Sequence, residues 1–169
     1  VCRGLGFLHR SCIWHRDIKP ANVLVTRGFN AKLTDFGLSR RAVGVEGEEA
    51  LRHTICGTSL YMPPEILTLV AGSVYDARLA DVYSTALVMA ELLLESPPFA
   101  HCTNAFQLQA LVCSGARPLL QPTDQIPREL VELVGSMWDN EPLARPDMDE
   151  VSKVLGELYQ RATENLSST

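Results

Sequence analysis

Apolar positions in the second half of the chain recur at intervals of three and four residues, which is the period of an amphipathic helix. The first such stretch places its apolar residues at Leu130, Leu133, Val134, Met137 and Trp138. The second places them at Met148, Val151, Leu155 and Leu158. Asp147 precedes the second stretch and can cap a helix there, with Glu150 three residues further on. We therefore expect two consecutive helices, each with one buried face.

Residues 79–94 are apolar on nearly every side, although they include Asp81 and Glu91. A helix of this kind is covered all round, so we expect it to be the central helix of the fold. It is shorter than the roughly 20 residues that cross a bilayer, so the sequence predicts no membrane span in this segment. Residues 1–9 also show helical spacing, but no capping residue precedes them.

Short strand-like runs occupy residues 22–25 and 31–34, and the five residues between them suit a hairpin turn. The periodicity is lost from residue 38 to residue 62, where a polar segment longer than most loops ends at Pro63 and Pro64. Loops of this length are usually functional or disordered. The sequence therefore predicts an α+β fold that is mainly helical and carries a small β-hairpin.

Composition and charge restrict the kinds of partner that the protein could bind and indicate its cellular location. Fifteen basic and twenty acidic side chains give a net charge of -5, which argues against non-specific binding to nucleic acid or an anionic membrane. The 169 residues are 46% hydrophobic, enough for one domain with a core. Five cysteines lie scattered without C-x-x-C spacing, and the first ten residues do not fit a secretory signal. We expect reduced thiols and an intracellular, cytoplasmic location.

Three oxygen-bearing side chains flank the predicted hairpin. Asp17 lies in the loop before the first strand, Asn22 lies at its start, and Asp35 directly follows the second strand. Because a hairpin brings its two ends together, we expect these side chains to converge. Carboxylate and amide oxygens of this kind suit Mg²⁺, which prefers one or two carboxylates together with phosphate oxygens and water. Lys19 adds a positive charge beside them.

Three motifs follow one another in this region: H-R-D at 15–17 with Asn22, D-F-G at 35–37, and P-P-E at 63–65. In order and spacing they resemble the catalytic core of eukaryotic protein kinases. D-V-Y-S-T-A at 81–86 resembles the start of that family's central buried helix. The resemblance implies that residues 1–160 form the large C-terminal lobe of a protein-kinase-like fold, followed by a C-terminal tail at 161–169. A glycine-rich loop and a V-A-I-K lysine are not found in the sequence, so we expect the N-terminal lobe to be absent from it.

The resemblance implies a catalytic role for each of the convergent residues. Asp17 would accept or orient the proton of the substrate hydroxyl, and Lys19 would steady the transferred phosphoryl group. Asn22 and Asp35 would hold Mg²⁺ on the phosphates of ATP, while Leu24 would lie under the adenine. Catalysis would then rest on positioning and charge stabilisation rather than on covalent attack.

The resemblance also implies structural roles. Glu65 would form an ion pair with Arg145, and Asp81 would hold the backbone of the catalytic loop from beneath. His15 and Phe36 would stack on each other in an apolar spine. Gly37 of the D-F-G motif would be a further structural position. Pro63, Tyr83 and Ala86 depart from the family pattern at positions that affect packing rather than chemistry.

The residues around Lys19 indicate which hydroxyl the enzyme would phosphorylate. Lys19 followed by Pro20, and Gly57 followed by Thr58, resemble serine/threonine kinases, in which Thr58 would bridge Asp17 and Lys19. Tyr83, Trp138 and the R-P pair at 145–146 resemble the tyrosine-kinase-like branch. A tyrosine-kinase-like enzyme with serine/threonine specificity accommodates both features, and its partner would be a protein substrate with a serine or threonine acceptor.

Arg16 resembles the arginine that receives an activation-loop phosphate in this family. A phosphate would supply that arginine with an anionic partner and order the loop. Thr54 is the preferred acceptor, with Ser39 and Ser59 as further candidates. The phosphate would come from an activating kinase or from a second copy of this chain in trans. In the alternative, Arg16 contacts only backbone and Thr54 is solvated.

Other functions stay open at this point. The lobe could be a non-catalytic interaction module, inactive for lack of the N-terminal lobe. A small-molecule phosphotransferase with a kinase-like fold would keep an aspartate and an asparagine five residues apart, but it should lack the long loop and the P-P-E motif. A purely structural role for each aspartate and asparagine, as a turn cap, would have to explain all of the spacings at once.

Overall fold

The computed structural model describes residues 1–41, 58–70 and 74–167. Within those residues the helices are α1 (Cys2–Arg10), α2 (Pro64–Leu67), α3 (Ala77–Leu94), α4 (Ala105–Cys113), α5 (Arg128–Met137) and α6 (Met148–Ser167). The strands are β1 (Ile13–Trp14), β2 (Val23–Val25), β3 (Ala31–Leu33) and β4 (Arg40–Arg41). This is the mainly helical α+β architecture that the sequence predicts.

Helix α3 is the centre of the core. It packs against α5 and β1, and its fully buried side chains are Val82, Tyr83, Ala86, Leu87 and Ala90. The Asp76 side chain caps α3 by accepting hydrogen bonds from the N–H groups of Arg78 and Leu79. The expectation that this helix is covered on every side is wrong for its last turn, because Leu92 is 69% exposed. Apolar residues there face solvent, so composition alone overstates the burial.

Helix α5 packs against α3, and α6 packs against α1 and α5, through the faces that the periodicity predicts. Val134, Met137, Met148 and Val151 are almost fully buried. Asp147 caps α6 as expected, since its Oδ1 accepts hydrogen bonds of 2.9 Å from the N–H groups of the second and third helical residues. Helix α6 continues to Ser167, so residues 161–167 of the predicted tail extend the same helix.

Helix α1 approaches α6 closely at Gly6, which is buried. A Cβ atom at this position would lie 2.8 Å from Asp149 Oδ1 and 3.6 Å from Met148 Cβ. The side chains of Arg10 and Asp149 form an ion pair across the same contact. The small residue thus lets the two helices pack side by side.

The four strands form two short antiparallel pairs. Strands β2 and β3 form the predicted hairpin, with Val23 opposite Leu33 and Val25 opposite Ala31. Strands β1 and β4 pair Trp14 with Arg40. The sequence gives no sign of this second pair, because β4 lies in the stretch without periodicity. None of the helices among the described residues is long and apolar enough to cross a membrane.

Candidate active site

Asp81 of α3 contacts the loop between β1 and the short 3-10 helix Pro20–Asn22. The Asp81 side chain is 1% exposed, and its two oxygens accept hydrogen bonds of 2.8 Å from the N–H groups of His15 and Arg16. Arg16 has a φ of 69°, a left-handed value that is uncommon for a residue with a side chain. Asp81 therefore holds the catalytic loop backbone, as predicted, at a point where the chain is strained.

The Asp17 carboxylate is almost fully buried and is surrounded by donors. Lys19 Nζ lies 2.7 Å from its Oδ2, and the Thr58 N–H and hydroxyl donate to its Oδ1 at 3.0 and 3.2 Å. Lys19 also donates to the Thr58 hydroxyl at 2.9 Å. The prediction that Thr58 bridges Asp17 and Lys19 is therefore confirmed in its geometry.

Asn22 joins this group from the start of the hairpin. Its Nδ2 donates to the backbone oxygen of Asp17 at 2.8 Å and to Asp17 Oδ2 at 3.1 Å. With the nitrogen facing these two acceptors, the side-chain oxygen faces away from Asp17. The Asn22 backbone oxygen accepts a hydrogen bond of 2.9 Å from the N–H of Thr34, the residue before Asp35. The hairpin thus ties the Asn22 end of the site to the Asp35 end.

Burial and hydrogen bonding act on the pKa of Asp17 in opposite directions. Burial raises it, but the hydrogen bond and charge of Lys19, with the hydrogen bonds of Asn22 and Thr58, together lower it below its ordinary value. The carboxylate is therefore ionised at neutral pH. It is suited to orient a hydroxyl and accept its hydrogen bond, rather than to act as a strong base.

Asp35 ends the hairpin on the solvent side. It is exposed, with a left-handed φ of 59°, and its Oδ1 accepts a hydrogen bond of 3.3 Å from the Gly37 N–H. Phe36 lies against His15, with ring centroids 5.1 Å apart, as the predicted spine requires. His15 Nε2 lies 3.0 Å from the Thr34 backbone oxygen, which anchors the segment before Asp35.

Glu65 and Arg145 form the predicted ion pair. Two guanidinium nitrogens of Arg145 donate to the two carboxylate oxygens of Glu65 at 2.6 and 2.9 Å, and the Arg145 side chain is fully buried. Arg145 also donates to the backbone oxygens of Leu79 and Asp139. This pair joins α2, which directly follows the segment that carries Thr58, to the segment before α6.

The structure adds contacts that sequence reasoning missed. Two guanidinium groups lie over the Tyr83 ring, with Arg145 Cζ 5.0 Å and Arg117 Cζ 5.1 Å from its centroid. Burial is the main cause that raises the pKa of Tyr83 to about 12. The Tyr61 hydroxyl donates to Glu91 at 2.7 Å. Glu91, a charged residue inside an otherwise apolar helix, is the one sequence signal that could have indicated the contact with Tyr61.

The residues present fit a Mg²⁺–nucleotide pair. The Asn22 oxygen and the Asp35 carboxylate lie at the two ends of one hairpin, and one or two such ligands suffice for Mg²⁺ when phosphate oxygens complete its coordination. A cluster of three or more His, Cys, Asp or Glu residues that could hold a metal by itself is not found in the described parts of the chain. Leu24 is 57% exposed and so is open to contact by a flat ring.

The structure brings some of the predicted site residues into contact with one another, but not all of them. Asp17, Lys19, Asn22 and Thr58 share one hydrogen-bonded group, and Asp35 lies at the adjoining end of the hairpin. Arg16 directly precedes Asp17 and its N–H donates to Asp81, whereas the Gly37 N–H donates to Asp35. Thr54 lies outside the residues that the structure describes, so its predicted role as a phosphate acceptor stays a prediction.

Comparison with known proteins agrees with this geometry. The model of the protein kinase domain family matches residues 1–154. The chain is 34% identical over 160 residues to serine/threonine-protein kinase STY17 of Arabidopsis thaliana, covering 95% of this chain. It is 38% identical over 154 residues, 90% of this chain, to R831 of Acanthamoeba polyphaga mimivirus, whose name describes a serine/threonine-protein kinase/receptor. It is 34% identical over 152 residues, 89% of this chain, to dual specificity protein kinase shkB of Dictyostelium discoideum.

The chain spans 26% of the length of STY17, 22% of shkB and 9% of R831. The family match covers the catalytic loop, the hairpin, the Glu65–Arg145 pair and most of the core helices. The chain belongs to the protein kinase domain family.

Proposed function

We propose that this chain is the catalytic-loop half of a protein serine/threonine kinase, which transfers the γ-phosphoryl group of ATP to a protein hydroxyl. The observation that carries this proposal is the buried group in which Lys19 and Thr58 both contact the Asp17 carboxylate. A turn cap needs one backbone partner, whereas this carboxylate has a cation, a hydroxyl and an amide around it.

Each residue of the group contributes to positioning. Asp17, ionised at neutral pH, accepts the hydrogen bond of the acceptor hydroxyl and directs its oxygen. Lys19 provides a positive charge within reach of a transferred phosphoryl group, and Thr58 keeps Lys19 and Asp17 in register. These are the positioning and electrostatic contributions on which phosphoryl transfer depends.

Asn22 and Asp35 are the residues that would hold Mg²⁺, through the Asn22 oxygen and the Asp35 carboxylate. When bound, Mg²⁺ and ATP supply the phosphoryl group and neutralise its charge. The hydrogen bonds from Asn22 to Asp17 would leave the Asn22 oxygen free for such a ligand. Leu24, which is exposed, would supply an apolar surface for the adenine.

The acceptor is proposed to be serine or threonine, in a tyrosine-kinase-like enzyme located in the cytoplasm. The Lys19–Thr58 contact supports this specificity, because it is the feature by which the sequence resembles serine/threonine kinases. Three peptides that differ only in a central Ser, Thr or Tyr would test it. Phosphate on the Ser or Thr peptide alone is expected, whereas equal transfer to Tyr would indicate a dual-specificity enzyme.

The direct test is Mg²⁺-dependent phosphate transfer from ATP to a basic protein by the full-length enzyme and its Asp17→Asn variant. Asn keeps the shape of the side chain but removes its charge, so we expect the rate to fall by about two to four orders of magnitude. Asp124→Asn, at an exposed loop position, is the matched control and should keep the wild-type rate. No transfer by the wild-type protein would favour the non-catalytic interaction module instead.

A further inference from the structure

Two consecutive prolines form the junction between the segment that carries Thr58 and helix α2. Pro63 is buried and has a φ of -72° and a ψ of 161°. Pro64 is the first residue of α2. We propose that Pro63 is a positioning residue for the protein substrate: it locks this junction, so that residues 58–63 are ordered before the substrate binds. This inference rests on the proposed kinase function.

Residues 58–61 are held in place by contacts with other parts of the fold. The Thr58 N–H donates to Asp17 at 3.0 Å, and the Ser84 hydroxyl donates to the backbone oxygen of Tyr61 at 2.8 Å. The next two residues are both buried and lie between these anchors and α2. The direction in which the chain leaves the anchored part therefore depends on the backbone angles of these two residues.

The two prolines restrict the backbone angles at this junction. A proline ring fixes its own φ at about -65° and disfavours the helical region for the residue before it. Pro63 therefore fixes its own φ and restricts Met62, whereas Pro64 restricts Pro63. Met62 has a φ of -76° and a ψ of 137°, which are extended values that a following proline favours. Substitution of Pro63 alone removes the first two restrictions and leaves the one that Pro64 imposes.

The locked junction matters because the same segment borders the proposed acceptor site. Pro63, Thr58 and Asp17 all line one small cavity of about 20 Å³. A substrate chain whose hydroxyl reaches Asp17 therefore passes close to residues 58–63. If this segment is already ordered, binding does not have to order it, and the affinity for the substrate is higher. The family motif is A-P-E, so alanine at position 63 is compatible with the fold.

Three substitutions separate the fixed angle of Pro63 from its packing. Pro63→Ala removes the ring, and with it both the fixed φ and the restriction on Met62. Pro63→Val keeps a branched side chain of similar size but does not fix φ. Pro127→Ala is the matched control, because Pro127 is exposed and directly precedes α5 as Pro63 precedes α2. The backbone oxygens of both prolines accept hydrogen bonds from the third and fourth residues after them.

The experiment measures steady-state kinetics of the full-length enzyme with ATP and a serine peptide. For Pro63→Ala we expect the KM for the peptide to rise about two- to fivefold, because the order of the binding segment is lost. The KM for ATP and kcat should stay within about 1.5-fold of wild type, since the chemistry is not touched. Pro63→Val should show the same rise, and Pro127→Ala should keep all three constants. A wild-type peptide KM in Pro63→Ala would overturn the proposal, and so would recovery in Pro63→Val, which would assign the effect to packing.

Hydrogen exchange gives a readout that does not depend on activity. The amides of Tyr61 and Met62 donate to the backbone oxygens of Thr58 and Ser59 at 2.9 and 3.2 Å. In Pro63→Ala and Pro63→Val these two amides should exchange faster, while the amides of α5 should keep their wild-type protection. Unchanged exchange would overturn the proposal even if the peptide KM rose. Absence of transfer by the wild-type enzyme would reject the kinase function, and exchange at these amides would then decide separately whether Pro63 orders the segment.

Discussion

The Asp17 side chain is almost buried and yet keeps its charge, because partners replace the water that it loses. Burial of an unpaired carboxylate would raise its pKa, but Lys19, Asn22 and Thr58 reverse that effect. The same contacts that stabilise the charge also fix the direction of the carboxylate. At this position, folding energetics and the proposed chemistry depend on the same hydrogen bonds.

A pH dependence of stability follows from this lowered pKa. In the unfolded chain the pKa of Asp17 has its ordinary value of 3.8, and in the folded chain this pKa is lower. The ionised form therefore stabilises the fold at every pH above 3.8, and this contribution is lost as the pH falls through the folded pKa. We expect the stability difference between wild type and Asp17→Asn to be constant near neutral pH and to shrink below 3.8.

Urea unfolding of wild type and Asp17→Asn, from neutral pH to below pH 3.8, measures the difference in their free energies of unfolding. Asp124→Asn is again the matched control, because Asp124 is exposed and its substitution should leave the pH profile unchanged. A difference that grows as the pH falls would contradict the lowered pKa of Asp17.

Among the elements, α1 shows how a single small residue sets the distance between helices. Gly4 is exposed, and an added Cβ would meet no heavy atom within 4 Å. At Gly6, two residues later, an added Cβ would lie 2.8 Å from Asp149 Oδ1. The two glycines have the same helical propensity cost but different surroundings.

Alanine substitution at the two positions should therefore give different results. Gly4→Ala should raise the free energy of unfolding by about 0.5–1 kcal/mol, since it removes only the conformational cost of glycine in a helix. Gly6→Ala should gain less, because the Asp149 side chain must move and its ion pair with Arg10 is disturbed. Chemical denaturation of both variants compares them directly. An equal gain at both positions would show that α6 does not restrict α1 at Gly6.

Elements with strong periodicity could be predicted from the sequence, and weakly patterned ones could not. The faces of α5 and α6, the cap at Asp147 and the hairpin all follow from local pattern. Strand β4 was missed, because two arginines pair with β1 through backbone atoms that carry no sequence signal. The exposed last turn of α3 was also missed, since apolar composition does not show where covering elements end.

For the site, the motifs identified Asp17, Lys19, Asn22, Asp35 and Thr58, because those residue types carry the chemistry themselves. His9 and Arg117 could not be found in this way. Each acts on another side chain that is distant along the chain: His9 Nε2 lies 3.0 Å from Asp81 Oδ2, although 72 positions separate the two residues. Only the packing of α1 and of the segment after α4 against α3 brings these partners together.

At the scale of the whole molecule, the Glu65–Arg145 pair connects the proposed site to the helical core. Arg145 is held by Glu65, by two backbone oxygens and by the Tyr83 ring of α3. Glu65 lies in α2, which directly follows the segment that carries Thr58. Loss of this pair should therefore affect both stability and phosphate transfer, whereas Asp17→Asn should leave the fold intact at neutral pH.

Arg145→Met tests this connection, because Met fills part of the same volume without a charge. We expect the free energy of unfolding to fall by about 3 kcal/mol, the lower end of the range for a broken buried ion pair, since the partner carboxylate keeps some contact with water. Arg161→Met, which breaks an exposed pair with Glu129, should change the free energy of unfolding far less, because solvent screens that pair. Urea unfolding gives both values. Similar costs for the two variants would mean that the buried pair does not hold α2 to the core, and Thr58 would then need another anchor.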